Sequence, residues 1–322
     1  MRLATLASGT GSALRAAALV DERWLVDLAA VARRLVGRLR DADLARHLPA
    51  IEGCADGAWL ADDSIACIQR ILDAEAADPA PGRDRFALDA VRLGPPVTRP
   101  GKFIATGRNY GAHLKESQAI WAARGREVVG ATFPTAFVKL PSAIIATGEA
   151  IRIPPGVTGV DYEIELVVVI GKAAYNVDAA DALDHVAGYT ICNDVGARHI
   201  QKQEMEHQIG LTLSKNFRTF APLGPWIVSR DEIPDPQALS LTLKVDGETR
   251  QHASTADMIF DVRTLVAYWS RLGLDPGDMI STGTPSGVAL ARPEPDRYYL
   301  KPGDMVEATI ERIGTLRNRV EA

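Results

Sequence analysis

The chain has 322 residues, a formal net charge of −5 and a hydrophobic content of 47%. That is enough chain for one large domain, or a large and a small one, and its mild acidity argues against nucleic acid or an anionic membrane as the main partner. Three scattered cysteines, Cys54, Cys67 and Cys192, supply neither a disulfide framework nor a zinc knuckle, so a reducing cytoplasmic location is expected.

The opening "MRLATLASGTGSALRAAALV" resembles a signal peptide only briefly. Ser8, Gly9, Thr10, Gly11, Ser12 and Arg15 interrupt the apolar core that such a peptide needs. "GTGSAL" is not a dinucleotide fingerprint, because the third glycine, a preceding strand and a suitable acid downstream are all missing. No apolar run approaches the roughly 20 residues of a membrane span. Helical periodicity runs through "LVDLAAVARRLVGRLRDADLARHL" and "DDSIACIQRILDAEAA", and "ADPAPGRDR" and "LGPPVTRPGK" then mark turns. Residues 1–97 are therefore expected to form a small structural domain without chemistry of its own.

From residue 98 to 322 the character changes. Short β-branched runs recur in "AIRI", "ELVVVI", "GYTIC", "LSLTLKV", "MVEATIERI" and "LRNRV". The clearest helix is expected over "TADMIFDVRTLVAYWSRLG", capped by Ser254 or Thr255 and stopped by Gly273. Strands outnumber helices and do not alternate with them regularly, which predicts an α+β, β-rich fold over a doubly wound sheet.

Within "VDYEIELVVVIGK", Glu163 and Glu165 stand two apart, so in a strand they share a face. Two carboxylates held that close repel unless a positive charge sits between them. A solvated strand end would satisfy the same pattern. In "GYTICNDVGARHIQ", Asp194 falls at a strand-to-helix corner. With the two glutamates it would make an all-oxygen donor set, which selects Mg2+, Mn2+ or Ca2+ over zinc.

"SKNFRTFAPLGPW" places Lys215 and Thr219 near a buried turn, and "ISTGTPSGV" offers a glycine-rich loop with free amides. In "IATGRNYGAHLKE", His113 and Glu116 are neighbours on a helical turn, an arrangement that orients an imidazole and raises its basicity. Each of these alone also fits an exposed ion pair, a solvated lysine or a hairpin. A rival metal cluster, His199, Glu204, Glu206 and His207 in "HIQKQEMEH", is not HExxH and reads better as a charged helix face.

In order and spacing, "GRNYGAHLKE", "DYEIELVVVIGK", "CNDVGARHIQ", "SKNFRTFAPLGP", "STGTPSGV" and "KPGDMVEATIERIGTLRN" resemble the fumarylacetoacetate hydrolase superfamily over residues 98–322. The resemblance implies a mixed β-sandwich roll, usually dimeric, with a smaller leading domain. It implies Mg2+ or Mn2+ held by Glu163, Glu165 and Asp194, with Ca2+ also admitted. It implies a water-activating His113–Glu116 pair on a lid segment and an active-site Lys215. Arg198 and Gln201 would hold substrate oxygens, and Thr284 a substrate carboxylate.

The chain departs from the family pattern at Ile164, where many relatives have glycine between the two glutamates. It departs again at Gly196, His199 and Arg218, and in the long segment "SQAIWAARGREVVGATFPTAF" after the lid. These change the pocket walls and leave the proposed catalytic groups in place. The expected function is a divalent-metal hydrolase cleaving a carbon–carbon bond in an acylpyruvate- or fumarylpyruvate-like 1,3-dicarbonyl acid. The alternatives are decarboxylation, hydration or tautomerisation of a related keto acid, or a metal-binding relative that has lost turnover.

Overall fold

The computed structural model describes residues 1–7, 14–39, 41–54, 57–77, 84–123, 125, 130, 132–208 and 210–322, with the backbone alone at 38 and 39. "GTGSA" and part of the segment after His113 lie outside the described residues. The architecture is strand-rich α+β, as expected. A twelve-stranded sheet runs, in spatial order, through Arg85–Ala87, Trp24–Asp27, Leu14–Val20, Arg2–Ala7, Ala221–Ser229, Val186–Asn193, Ile164–Ile170, Met279–Ser281, Phe103–Thr106 and Ala136–Val138. Two short strands, Leu93–Gly94 and Ile144–Ile145, pair off this path. A second, five-stranded sheet orders Glu248–Ser254, Ser240–Val245, Met305–Ile310, Gly314–Glu321 and Ile151–Arg152.

The strand Ile164–Ile170 is wholly buried and separates two cores. Ile164, Leu166, Val168 and Ile170 face one core, with Tyr162, Leu241, Ala308 and Leu316. Val167 and Val169 face the other, with Val31, Ile68, Leu223 and Met279. This is the period-2 alternation of a strand covered on both sides. A strand buried on both faces reads as a continuous apolar run, which is why "ELVVVI" shows no polar alternation.

Hydrogen bonding and packing both cross residue 97. Arg2 and Leu3 pair with Val228 and Ile227, and Leu3 lies in the same core as Val167 and Met279. The helices Leu28–Leu39, Ala42–Glu52 and Asp62–Ala77 match the periodic segments, the first two being separated by the Asp41 N-cap. The strands Arg2–Ala7 and Leu14–Val20 were not foreseen. Their Ala- and Leu-rich sequences have good helix propensity, and pairing to each other and to Ala221–Ser229 overrides it.

The helix expected over 255–273 is three pieces. Ser254 caps a single turn, Thr255–Asp257, in a capping box closed by Asp257. The chain then extends, and Asp261 accepts from the Thr264 N–H at 2.7 Å to start the helix Val262–Trp269. A last turn, Ser270–Leu272, ends at Gly273 with φ 70°. The sequence has two cap signals, and the second wins because it begins the longer apolar face. Among the described residues no helix is long and apolar enough to cross a membrane.

Because Leu3 is fully buried in the core that spans residue 97, Leu3→Ala is expected to cost about 2–5 kcal/mol. The whole chain should still unfold in one transition. Urea denaturation followed by tryptophan fluorescence and far-ultraviolet circular dichroism checks this. Two separated transitions, only the first of them shifted, would show an N-terminal unit that folds alone.

Candidate active site

Glu163 and Glu165 occupy the face that carries Val167 and Val169 further along the strand, so the apolar core gives way to carboxylates at its mouth. Glu163 sits just before the assigned strand and is fixed by its own backbone. Its N–H donates to Asn193 Oδ1 at 2.9 Å, and its carbonyl accepts from the Asp194 N–H at 2.8 Å. Those bonds bring the corner after Val186–Asn193 against the glutamates. Ligand oxygens of Glu163, Glu165 and Asp194 then lie within 4.8 Å of one another, and all three side chains are buried.

Three cations surround them. Lys215 Nζ donates to Glu163 Oε2 at 2.6 Å, to Asp194 Oδ2 at 2.8 Å and to the Asp194 carbonyl at 2.9 Å, which uses all three of its N–H groups. Arg198 Nη2 donates to Glu163 Oε1 at 2.6 Å, its Nε to Asp161 Oδ2 at 2.7 Å, and its Nη1 to Gln201 Oε1 at 2.8 Å. Lys139 Nζ lies 2.8 Å from Asp194 Oδ1 and donates to the carbonyls of Lys215 and Phe220. Glu165 has no cationic partner among the described residues. Its Oε2 accepts from the Ser281 hydroxyl and from the Gly283 N–H at 3.1 Å.

These surroundings pull the two glutamates apart. For Glu163, burial opposes ionisation, but Lys215, Arg198 and His113 together outweigh it and hold the carboxyl down to about 2. For Glu165, burial and then the charges of Asp194 and Glu163 all act upward, and its carboxyl is raised well above the ordinary value. For Lys215, burial disfavours the charge, and Asp194 and Glu163 more than restore it. An all-oxygen set of three buried side chains, with Glu165 left without a cationic partner among the described residues, fits a hard divalent cation.

His113 lies on the helix Gly111–Ala122, is 9% exposed, and lines a cavity of about 610 Å³ together with the three carboxylates, Arg198, Gln201, Lys215 and Thr284. Its Nδ1 is 3.3 Å from Glu116 Oε2, which places Glu116 behind the imidazole. Glu116 Oε1 accepts from the Gly287 N–H at 2.9 Å. Gly287 has φ 103°, and a Cβ there would lie 2.2 Å from the Arg250 carbonyl, so only glycine can present that amide. Thr284 Oγ1 donates to the Ile164 carbonyl at 3.0 Å and accepts from Gln251 at 2.8 Å, so its hydroxyl already has protein partners.

The structure thus gathers all nine expected residues at one cavity, Glu116 one layer back. It adds partners that the sequence did not single out. Lys139 stands alone in "AFVKLPS" with nothing local to mark it. Asp161 begins the quoted "DYEIE" motif; it is fully buried and also accepts from the Ala289 and Leu290 N–H groups at 2.8 and 3.0 Å. Two amides of "STGTPSGV" are already engaged, those of Gly283 and Gly287 donating to Glu165 and Glu116. The rival cluster does not form among the described residues. Glu204 instead accepts from the Thr212 and Leu213 N–H groups at 3.1 and 2.6 Å and from the Ser214 hydroxyl, steadying the turn before Lys215.

Folding raises the affinity of Glu165 for its proton, so the folded chain takes one up above the ordinary value of 4.5. Its contribution to stability is full below that pH and is lost as pH rises through the elevated folded value. In EDTA, the urea midpoint of the wild type should therefore fall as pH climbs from about 4.5, and Glu165→Gln should flatten that decline. Parallel profiles for the two proteins would contradict the charge assignment.

Comparison with known proteins follows the same outline. The family profile described as fumarylacetoacetate (FAA) hydrolase, C-terminal, matches residues 102–321. A protein of Burkholderia multivorans, named only as a hydrolase, is 41% identical over 280 residues, covering 86% of this chain and 89% of its own. The fumarylacetoacetate hydrolase of Exiguobacterium antarcticum superposes with a TM-score of 0.72 at 31% identity, covering 100% of this chain and 99% of that one. Maleylpyruvate hydrolase from Sphingobium sp. SYK-6, solved with manganese(II) and pyruvate, gives 0.71 at 27% identity with 100% and 99% coverage. The 2-hydroxyhepta-2,4-diene-1,7-dioate isomerase of Mycobacterium marinum gives 0.68 at 30% identity with 100% and 98% coverage. On its ordered motifs, its fold and these matches, the chain belongs to the fumarylacetoacetate hydrolase family.

Proposed function

We propose that this enzyme hydrolyses a carbon–carbon bond in a 1,3-dicarbonyl acid of the acylpyruvate or fumarylpyruvate type, assembled as a homodimer. The observation that carries the reading is His113, backed by Glu116, lining the same cavity as the three carboxylates. Glu163, Glu165 and Asp194 would hold Mg2+ or Mn2+, which supplies Lewis-acid polarisation of a substrate carbonyl when bound. The manganese and pyruvate in the Sphingobium relative support that pairing of ion and product.

With Nδ1 turned to Glu116, the His113 Nε2 is the nitrogen that takes a proton from water. The resulting hydroxide attacks the carbonyl distal to the acid. The bond between that carbon and the methylene breaks, and its electron pair stays on the pyruvate half as an enolate. Protonation then gives pyruvate and a carboxylic acid. Lys215 has no spare N–H in this arrangement, so its contribution is the positive charge it holds beside the developing enolate. Arg198 keeps Glu163 ionised and, with Gln201, presents N–H groups to the cavity.

A second reading, isomerisation or decarboxylation through the same enolate, is favoured by the isomerase name of the Mycobacterium marinum relative. The two readings differ in their need for a water-activating base. His113→Ala is expected to lose about 10²–10⁴-fold in acylpyruvate cleavage and far less in oxaloacetate decarboxylation. Lys215→Ala should harm both. Steady-state kinetics on both substrates, with circular dichroism to confirm folding, decides between them: equal losses for His113→Ala favour the second reading.

The ion has its own test. EDTA should abolish turnover and lower the thermal midpoint, and Mg2+ or Mn2+ should restore both. Asp194→Ala should remain folded yet lose the rescue. Full activity in excess EDTA would remove the ion from the reaction.

A further inference from the structure

The cationic side chains that line the cavity are, among its described residues, Arg108, Arg198, Lys202 and Lys215, besides the imidazoles of His113 and His199. Arg198 is paired with Asp161 and Glu163, Lys215 with Glu163 and Asp194, and Lys202 with Glu206 at 3.8 Å. His113 faces Glu116, and His199 Nδ1 lies 2.6 Å from Thr158 Oγ1. Arg108 has no carboxylate within ion-pair distance among the described residues. It is half-buried, and burial draws its pKa down. A half-buried guanidinium lining a cavity of this size suits an anionic ligand.

The backbone holds Arg108 there against its own preference. Its φ is 49°, in the left-handed region that non-glycine residues avoid. The next residue pins it: Asn109 Nδ2 donates to the Phe260 and Thr282 carbonyls, both at 2.9 Å, and Asn109 Oδ1 accepts from the Phe260 N–H at 2.8 Å. Arg108 lies just past the strand Phe103–Thr106, which is separated from Ile164–Ile170 by the single strand Met279–Ser281. Two interstrand spacings put its backbone roughly 10 Å across the sheet from that of Glu165. Ile120, Trp121 and Phe137 line the same cavity and give it an apolar wall.

We propose that Arg108 recognises a second carboxylate at the far end of the substrate, so that the preferred substrates are diacids with a short hydrocarbon middle. This rests on the keto-acid reading above and extends it to the acyl half. The geometry gives each end of such a molecule a charged partner: the carboxylate cluster and its cations at one end, and Arg108 at the other.

The test is isothermal titration in Mg2+ with unreactive keto acids matched for chain length, 2-oxoadipate against 2-oxohexanoate and 2-oxopimelate against 2-oxoheptanoate. The wild type should bind at least one diacid about 10–100-fold more tightly than its matched monoacid, the range of one charge-assisted contact. Arg108→Gln should erase that ratio and leave monoacid affinity unchanged, and Arg108→Lys should keep part of it. Equal binding of diacid and monoacid by the wild type would overturn the Arg108 assignment while leaving the keto-acid reading intact. So would an equal loss on both in Arg108→Gln. Absence of binding for all four acids would overturn both readings. Should Arg108→Gln fail to fold, the wild-type ratio and Arg108→Lys still decide.

Discussion

Bringing three carboxylates together in a buried place is the constraint on which the rest of the site depends. Left alone, they would take up protons or push the strands apart. The chain answers with Lys139, Lys215 and Arg198, each itself buried and each satisfied by more than one oxygen. Those cations in turn need fixing. Glu204 ties the turn that carries Lys215, and Asp161 orients Arg198 while holding the turn at Ala289 and Leu290. The network is asymmetric by construction, with two carboxylates compensated and Glu165 left to hydroxyl and amide donors. That remainder of negative charge is what makes the place suited to a divalent ion rather than to a closed salt-bridge cluster.

Much of this was legible in the sequence, for reasons that can be named. Glu163 and Glu165 could be placed on one face because strand periodicity is 2, and His113 and Glu116 because a helical turn joins positions three apart. Asp194 followed from a strand meeting a helix. The remaining partners come from distant chain: Lys139 and Asp194 are fifty-five positions apart, and no local pattern connects them. Backbone donors are invisible for another reason. Gly283 and Gly287 could be read as a turn, but not as two amides aimed at two particular acids.

The strands near the N-terminus and the broken helix at 255–272 have a common cause. Leu14–Val20 contains three consecutive alanines, residues of high helix propensity, and long-range pairing overrides them. At 254–262 the reverse holds, because two valid cap sequences compete and the one starting the apolar face of Val262, Leu265 and Val266 becomes the true start. In both places the tertiary structure made the choice.

One loop, Ser281 to Gly287, holds Glu165 through Gly283 and Glu116 through Gly287. The oxygens of Glu165 and the carboxylate beside His113 are thereby held by amides four residues apart on one segment. If occupancy at the acidic cluster moves that segment, thermodynamic reciprocity requires that placement of the imidazole alter occupancy with the same coupling free energy. Substitutions within the loop will resist sorting into binding defects and rate defects, since a single displacement enters both quantities. The glycine-rich segment is, in this chain, a four-residue tether between the acidic cluster and the carboxylate beside His113.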